Sequence, residues 1–312
     1  MRRAACAAAA GCGAAATAQR RRLSSRPAAA AQMEGRVRVG LVLCEDAPAW
    51  ADLADVWRAA LGARFEVVPF SAYAGELPRR EELERGRGGG GGGGGALDAL
   101  LVSGSHYSVV ASPEAREWIE RVGELVRFAA GLEARGGSGG ARARVLGVCF
   151  GCQLVAHALG GQVGPVGAQH RPVFGAEEVR PSTAAPQLPY WEPDARPMRL
   201  LQAHGEQVTR LPPRAVRLAG SDSCANEVFV VPAPPSGPGA DVLAVQAHPE
   251  MTVRLMKERV LCEFPSMAPQ HADRGLASLH APHDSARMLA IVRAFLARSS
   301  HAEAGRAAPP RP

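Results

Sequence analysis

Residues 144–153 read Arg-Val-Leu-Gly-Val-Cys-Phe-Gly-Cys-Gln, and the fold is decided there. The run 144–148 is apolar and rich in valine with no helical period, which makes it a buried strand. The following Leu154-Val155-Ala156-His157-Ala158-Leu159 is helical in pattern and stops at Gly160-Gly161. A strand that turns into a helix within a residue or two presents one side chain at the top of its sheet. Gly147 and Gly151, two before and two after Cys149, remove the clashes that such a turn creates. The spacing predicts a nucleophile elbow with Cys149 at a helix N-terminus, where unpaired N–H groups and the helix dipole stabilise negative charge. The N–H of Phe150 is then free to hold an oxyanion. Two other readings of these residues stay open at this point: Cys149 as a buried apolar cysteine, and Cys149-x-x-Cys152 as a redox or metal pair. A zinc site would require two further ligands at matching spacing, whereas Cys224 and Cys262 are single and no paired histidine motif exists.

Upstream, 36–44 and 65–70 read as strands separated by a short helical pattern over 51–61. A further strand over 97–103 ends in the small-residue loop Gly104-Ser105-His106-Tyr107-Ser108. Ser112 followed by Pro113 predicts an N-cap, and Trp118, Ile119, Val122, Leu125, Val126 and Ala129 supply the apolar stripe of the helix it opens. Strand and helix alternating at these lengths predict an α/β fold: an open, mostly parallel sheet with helices on both faces. Ligands of such sheets sit at the carboxyl ends of the strands. Downstream, apolar runs at 172–175, 198–201, 215–219, 227–231 and 242–246 are strand-like. The proline-rich stretch 181–197 reads as a surface loop, and two helical patterns, 253–261 and 286–296, close the domain. One domain over 34–298 is expected, interrupted by a flexible glycine insertion at 86–95 and followed by a frayed tail, 299–312. The glycine run lacks the Gly-Lys-Ser/Thr ending of a phosphate-binding loop.

The chain has 312 residues, 46% of them hydrophobic, enough to bury a large core. Its net charge of +6 comes from the leader: residues 1–32 hold six arginines and no acid, which leaves 36 − 6 = 30 basic against 30 acidic residues. A neutral body gives no support to a nucleic-acid partner, and no run reaches the roughly 18 apolar residues of a membrane span. Seven cysteines without regular spacing suit a reducing compartment. The leader, 1–33, is rich in Ala and Arg with Ser24 and Ser25. It reads either as a transit peptide for a plastid or mitochondrion or as a disordered tail of a cytosolic protein, with Met33 as a second start.

A cysteine nucleophile requires a base, and the end of the 242–246 strand offers one in Gln246-Ala247-His248-Pro249-Glu250. His248 falls just past a carboxyl end, level with the elbow if the two strands are parallel. Glu250, two residues on, can accept the imidazole N–H and fix its orientation, the third role of a catalytic triad.

These motifs, Gly147-Val148-Cys149-Phe150-Gly151 with Gln153 and His248-Pro249-Glu250 about a hundred residues later, resemble the flavodoxin-like class I glutamine amidotransferase domain with its Cys-His-Glu triad. Within that family, Ser103-Gly104-Ser105 with His106, Glu76-Leu77-Pro78 and His204-Gly205-Glu206-Gln207-Val208 are closest to the plant γ-glutamyl peptidases. Cys152 departs from a histidine usual there, and Gln246-Ala247 from Gln-Gly. The resemblance implies a free-standing hydrolase of γ-glutamyl amide bonds, acting on glutathione, its conjugates or other γ-glutamyl peptides through a thioester on Cys149. His248 and Glu250 complete the triad, the N–H groups of Phe150, Gly104 and Ser105 hold the oxyanion, and Gln153 supports substrate or elbow. The alternatives are a glutamine amidotransferase subunit that hands ammonia to a separate synthase and a non-catalytic binding protein of the same fold. No cofactor or metal is expected, because no flavin, metal or nucleotide motif occurs.

Overall fold

Strand β4 (Arg144–Val148) lies inside a nine-stranded sheet of order β2-β1-β3-β4-β11-β10-β9-β6-β7. The computed structural model describes residues 36–84, 95–132, 142–167, 171–235, 239–263 and 269–298. The expectations for the leader, for the glycine insertion apart from Gly95, and for the tail fall outside the described residues. The other strands are β1 (Val37–Leu43), β2 (Phe65–Ser71), β3 (Ala99–Val102), β6 (Val173–Pro181), β7 (Met198–His204), β9 (Val216–Gly220), β10 (Val228–Val231) and β11 (Val242–Val245). β5 (Gln162–Pro165) and β8 (Glu206–Arg210) form a separate antiparallel hairpin. β2, β1, β3, β4 and β11 pair in parallel, and each pairing from β11 to β7 is antiparallel. Only β10 and β6 therefore run against the other seven, and the sheet is mostly parallel in strand direction.

Alternating side chains divide two cores across the sheet. On one face, Leu41, Leu101, Leu146 and Val245 pack with Trp57 of α1 (Leu53–Leu61) and with Ile291 and Phe295 of α6 (Ser285–Leu296). On the other, Val42, Leu100, Val145 and Ala244 pack with Ile119 and Val126 of α2 (Arg116–Ala129) and with Leu154 and Val155 of α3 (Phe150–Ala158). Strands buried on both faces read as continuous apolar runs, which is why they stand out in the sequence.

Three local expectations are corrected. Ser112 does not cap the helix: its Oγ accepts the N–H of Ser108 at 2.9 Å, and Pro113–Ala115 form a single 3-10 turn before α2. The 181–197 stretch is not only surface, because Tyr190 and Trp191 are buried and Tyr190 meets Phe295 edge-on at 5.3 Å. The 253–261 pattern ends its α-helix at Glu258 (α4, Val253–Glu258). One helix, α5 (Pro269–Ser278), has no counterpart in the sequence reading.

Candidate active site

At the elbow β4 passes into α3 through Cys149, whose φ of 53° and ψ of −110° put a non-glycine residue in left-handed backbone territory. Such geometry costs on the order of 1–3 kcal/mol and persists where its surroundings impose it. The glycines show how. A Cβ on Gly147 would lie 2.3 Å from the carbonyl oxygen of Gly151, and one on Gly151 would lie 2.1 Å from that of Val102. The first turn of α3 thus lies directly on the ends of β4 and β3. The Gly151 N–H donates to Ser103 O (3.1 Å) and the Cys149 N–H to Val245 O (2.9 Å).

Parallel pairing of β4 with β11 puts Val148 opposite Val245, so His248 arrives level with the elbow. Its backbone N–H donates to Leu201 O of β7 (2.9 Å), and Ala203 O of the same strand lies 3.6 Å from Cys149 Sγ. β7 ends the strand order, yet its own carboxyl end returns to the site. His248 Nδ1 is 2.8 Å from Glu250 Oε1; a carboxylate only accepts, so Nδ1–H donates and Nε2 is left for Cys149. Burial opposes a charged imidazole here, but the opposing charges of Cys149 and Glu250 outweigh it and hold the His248 pKa well above its usual 6.5. Cys149, His248 and Glu250 are all buried and together line a cavity of about 30 Å³, room for one or two water-sized groups.

The other predicted residues separate into two groups. Gly104 and Ser105 line the cavity, and a Cβ on Gly104 would sit 3.0 Å from His248 Cε1 and 3.7 Å from Cys149 Cβ. The first N–H of α3, on Phe150, has no intrahelical acceptor, while the Phe150 ring packs in the core 5.7 Å from Trp118. Gln153 is buried away from the cavity lining: its Nε2 donates to Glu206 O (2.9 Å) and Gln246 Oε1 (3.4 Å), so it braces the elbow helix rather than meeting a ligand. Cys152 packs in the opposite core from Cys149, and burial raises its pKa well above the usual thiol value.

Sequence reasoning missed Glu45, which follows β1 and lines the cavity although nearly buried. The rule that ligands meet carboxyl ends of parallel strands was signal enough to find it. Glu45 Oε1 accepts from Ala47 N–H (2.8 Å) and His106 Nδ1 (2.7 Å), and Oε2 from His106 N–H (2.8 Å). Cys44 N–H donates to Ser103 Oγ (3.0 Å) and Ser105 Oγ to Cys44 O (2.7 Å). The end of β1 thereby holds the Gly104–Ser105 loop. Trp50, Leu53 and Val260 form further wall, and Arg259 bridges two parts of it, with Nη1 and Nη2 on the Asp52 carboxylate at 2.5 and 3.0 Å and its guanidinium 5.3 Å from the Trp50 ring. His204, at the end of β7, is also buried. Its Nδ1 faces Glu206 O at 2.9 Å, and Nε2 has no partner among the described residues. Burial, then the charge of His248, lowers its pKa to about 4. No helix among the described residues is long and apolar enough to cross a membrane.

A family model described as "Glutamine amidotransferase class-I" matches residues 133–265, which include the elbow and His248-Pro249-Glu250. Among curated proteins, the GMP synthase [glutamine-hydrolyzing] of Streptococcus pneumoniae is 28% identical over 120 residues, 38% of this chain and 21% of that protein. The match spans about a fifth of the relative's length. A glutamine amidotransferase from Thermotoga maritima shares the fold with a TM-score of 0.53 at 17% identity, covering 84% of this chain and 98% of its own. A glutamine amido transferase from Methylobacillus Flagellatus gives 0.53 at 20% identity, with 84% and 92% covered. Over residues 133–265 the chain is similar to class I glutamine amidotransferases, and it shares its fold with solved proteins of that description.

Proposed function

We propose that this chain hydrolyses γ-glutamyl amides through a thioester on Cys149, with glutamine as the substrate that its curated relatives favour. The observation that carries the reading is the pairing of Cys149, on a strained elbow, with an imidazole whose Nδ1 is fixed by Glu250 at 2.8 Å. Cys149 Sγ, having given its proton to His248 Nε2, attacks the γ-carbonyl carbon, and the carbonyl π electrons move to oxygen. The Phe150 N–H and the Gly104–Ser105 loop amides receive that oxyanion, an interaction whose loss typically costs about 10²–10³ in rate. His248 Nε2–H protonates the departing nitrogen as the C–N bond breaks. Water then gives a proton to His248 and attacks the thioester, and Cys149 leaves as glutamate is released. Glu250 keeps the imidazole oriented throughout.

γ-Glutamyl peptides are the second reading. Support comes from the Ser103-Gly104-Ser105-His106 loop, which resembles that of the plant γ-glutamyl peptidases and is held by Glu45 through the backbone N–H and Nδ1 of His106. A partner synthase belongs to the glutamine reading, by analogy with the GMP synthase to which this chain is similar. The deciding experiment is amine release by the purified protein from glutamine, glutathione and a glutathione S-conjugate, with Cys149→Ala as control. Release from glutamine, reduced about 10⁴-fold or more in the variant, is expected. Release from the peptides alone would move the assignment to a peptidase, and release that survives Cys149→Ala would overturn the mechanism.

A further inference from the structure

The catalytic cavity has a charge pattern that the triad leaves unexplained. Glu45, His248 and Glu250 are the ionisable groups other than Cys149 among the described residues lining it, and no lysine or arginine joins them. Glu250 is committed to His248. Glu45 is different: a carboxylate offers about four acceptor positions, and the hydrogen bonds of Ala47 and His106 fill three, two on Oε1 and one on Oε2. One acceptor position on Oε2 is left, on a side chain only 4% exposed that lines the cavity. A buried carboxylate with spare capacity and no lysine or arginine beside it in the cavity lining is suited to a positively charged ligand group.

A γ-glutamyl substrate carries such a group. Its α-ammonium lies four bonds from the γ-carbonyl carbon, about 5 Å away when the chain is extended. Glu45 follows β1, beside the Gly104–Ser105 loop, and both face the cavity that holds Cys149. We infer that Glu45 is a specificity-determining residue, which accepts a hydrogen bond from the α-ammonium of the substrate while the γ-carbonyl sits over Cys149. The inference rests on the γ-glutamyl reading above and adds to it a requirement for an α-amino substrate. Asp46 and His106, more exposed at 36% and 39%, lie outside that contact and tune its field.

A role as ligand acceptor and a role as strut for the 103–106 loop make different predictions. A strut affects every substrate alike, whereas an ammonium acceptor affects only those with the ammonium. The test compares glutamine with glutaramic acid, its counterpart lacking the α-amino group, in the wild-type protein and in Glu45→Gln. In parallel, a glutamine-shaped chloroketone and its des-amino counterpart are timed against Cys149 by intact mass. A charge-assisted hydrogen bond of about 1.5–3 kcal/mol predicts that wild type prefers the amino form about 10–10²-fold in both assays, and that the ratio collapses toward one in Glu45→Gln. The wild-type ratio alone tests the requirement without any variant. No preference in wild type, no labelling by either reagent, or a ratio kept in Glu45→Gln while both rates fall would overturn the inference. Preferential, Glu45-dependent labelling without amine release would leave it standing and sink the hydrolase reading; amine release without discrimination would do the reverse.

Discussion

Two histidines lie buried at the carboxyl ends of strands that meet at Cys149, and they are driven in opposite directions. His248, after β11, has its pKa held well above 6.5 by Cys149 and Glu250 against the cost of burial. His204, at the end of β7, faces a backbone carbonyl and the field of His248, and burial takes it down to about 4. Burial alone makes an imidazole neutral; an anionic partner on each side reverses that. The contrast shows that the charge of a buried imidazole here is set by the groups beside it and not by burial alone.

Removing Glu250's charge should break the contrast most. Glu250→Gln is expected to lower kcat/KM by about 10³–10⁴-fold, since the imidazole loses both orientation and charge stabilisation. A fall below tenfold would show that His248 needs no carboxylate. The stability sign follows from the same pair. A histidine whose folded pKa is raised stabilises the fold fully below the unfolded value near 6.5, and that contribution disappears as pH rises through the raised pKa. Thermal unfolding of Glu250→Gln should show less of that alkaline loss, since Cys149 still raises the imidazole.

His204 has the opposite sign. Its stabilising contribution is complete above pH 6.5 and is lost as pH falls toward 4, and the difference, 6.5 − 4 = 2.5, corresponds to about 3 kcal/mol. Glu227, buried and pushed up to about 7, contributes in the reverse sense between 4.5 and 7, so the informative quantity is the difference between variant and wild type. His204→Asn, which can still donate to Glu206 O, should flatten the acid side of the stability curve; an equally steep acid loss in the variant would mean that His204 is not held neutral. Smaller again is the effect at Gly104, whose added Cβ would press on His248 and has no counterpart beside His204. Gly104→Ala should lower kcat by about 10²-fold, the typical cost of a misplacement near 1 Å, with little change in melting temperature. Unchanged turnover would show that the loop moves away freely.

The parallel half of the sheet was legible because its strands are buried on both faces. Gly147 and Gly151 gave away the elbow, since their absent side chains are required by carbonyl oxygens 2.3 and 2.1 Å from where a Cβ would be. His248-Pro249-Glu250 was legible because two residues of chain suffice to return a carboxylate to its own histidine. The return of β7 to Cys149 was not, because it depends on the path of four antiparallel strands, and periodicity within a strand says nothing of where its far end goes. α5 was missed for another reason. Its contact with β6 is backbone against backbone, with Gly275 against Phe174 and Gly175, and Ser278 Oγ accepting the Ala176 N–H at 2.8 Å, so no apolar stripe marks it. Whether Gln153 supports substrate or elbow was not legible, because its place beside Cys149 in the chain does not tell which side of α3 it occupies; its Nε2 meets Glu206 O and Gln246 Oε1.

The bidentate contact of Arg259 with Asp52 joins two stretches 207 residues apart, one leading into α1 and the other following α4, and both contribute wall to the cavity. The Asp52 side chain is half exposed, so dissolved ions compete for this clasp in a way they cannot for the buried pair of His248 and Glu250. Salt then acts on the doorway and not on the reaction: raising ionic strength should increase KM by no more than about fivefold at constant kcat, the scale of an exposed ion pair. A kcat that falls with salt instead would place the clasp's influence on the bond-making steps. The two walls of the doorway are tied by charge, and the ionic medium around the protein sets how firmly.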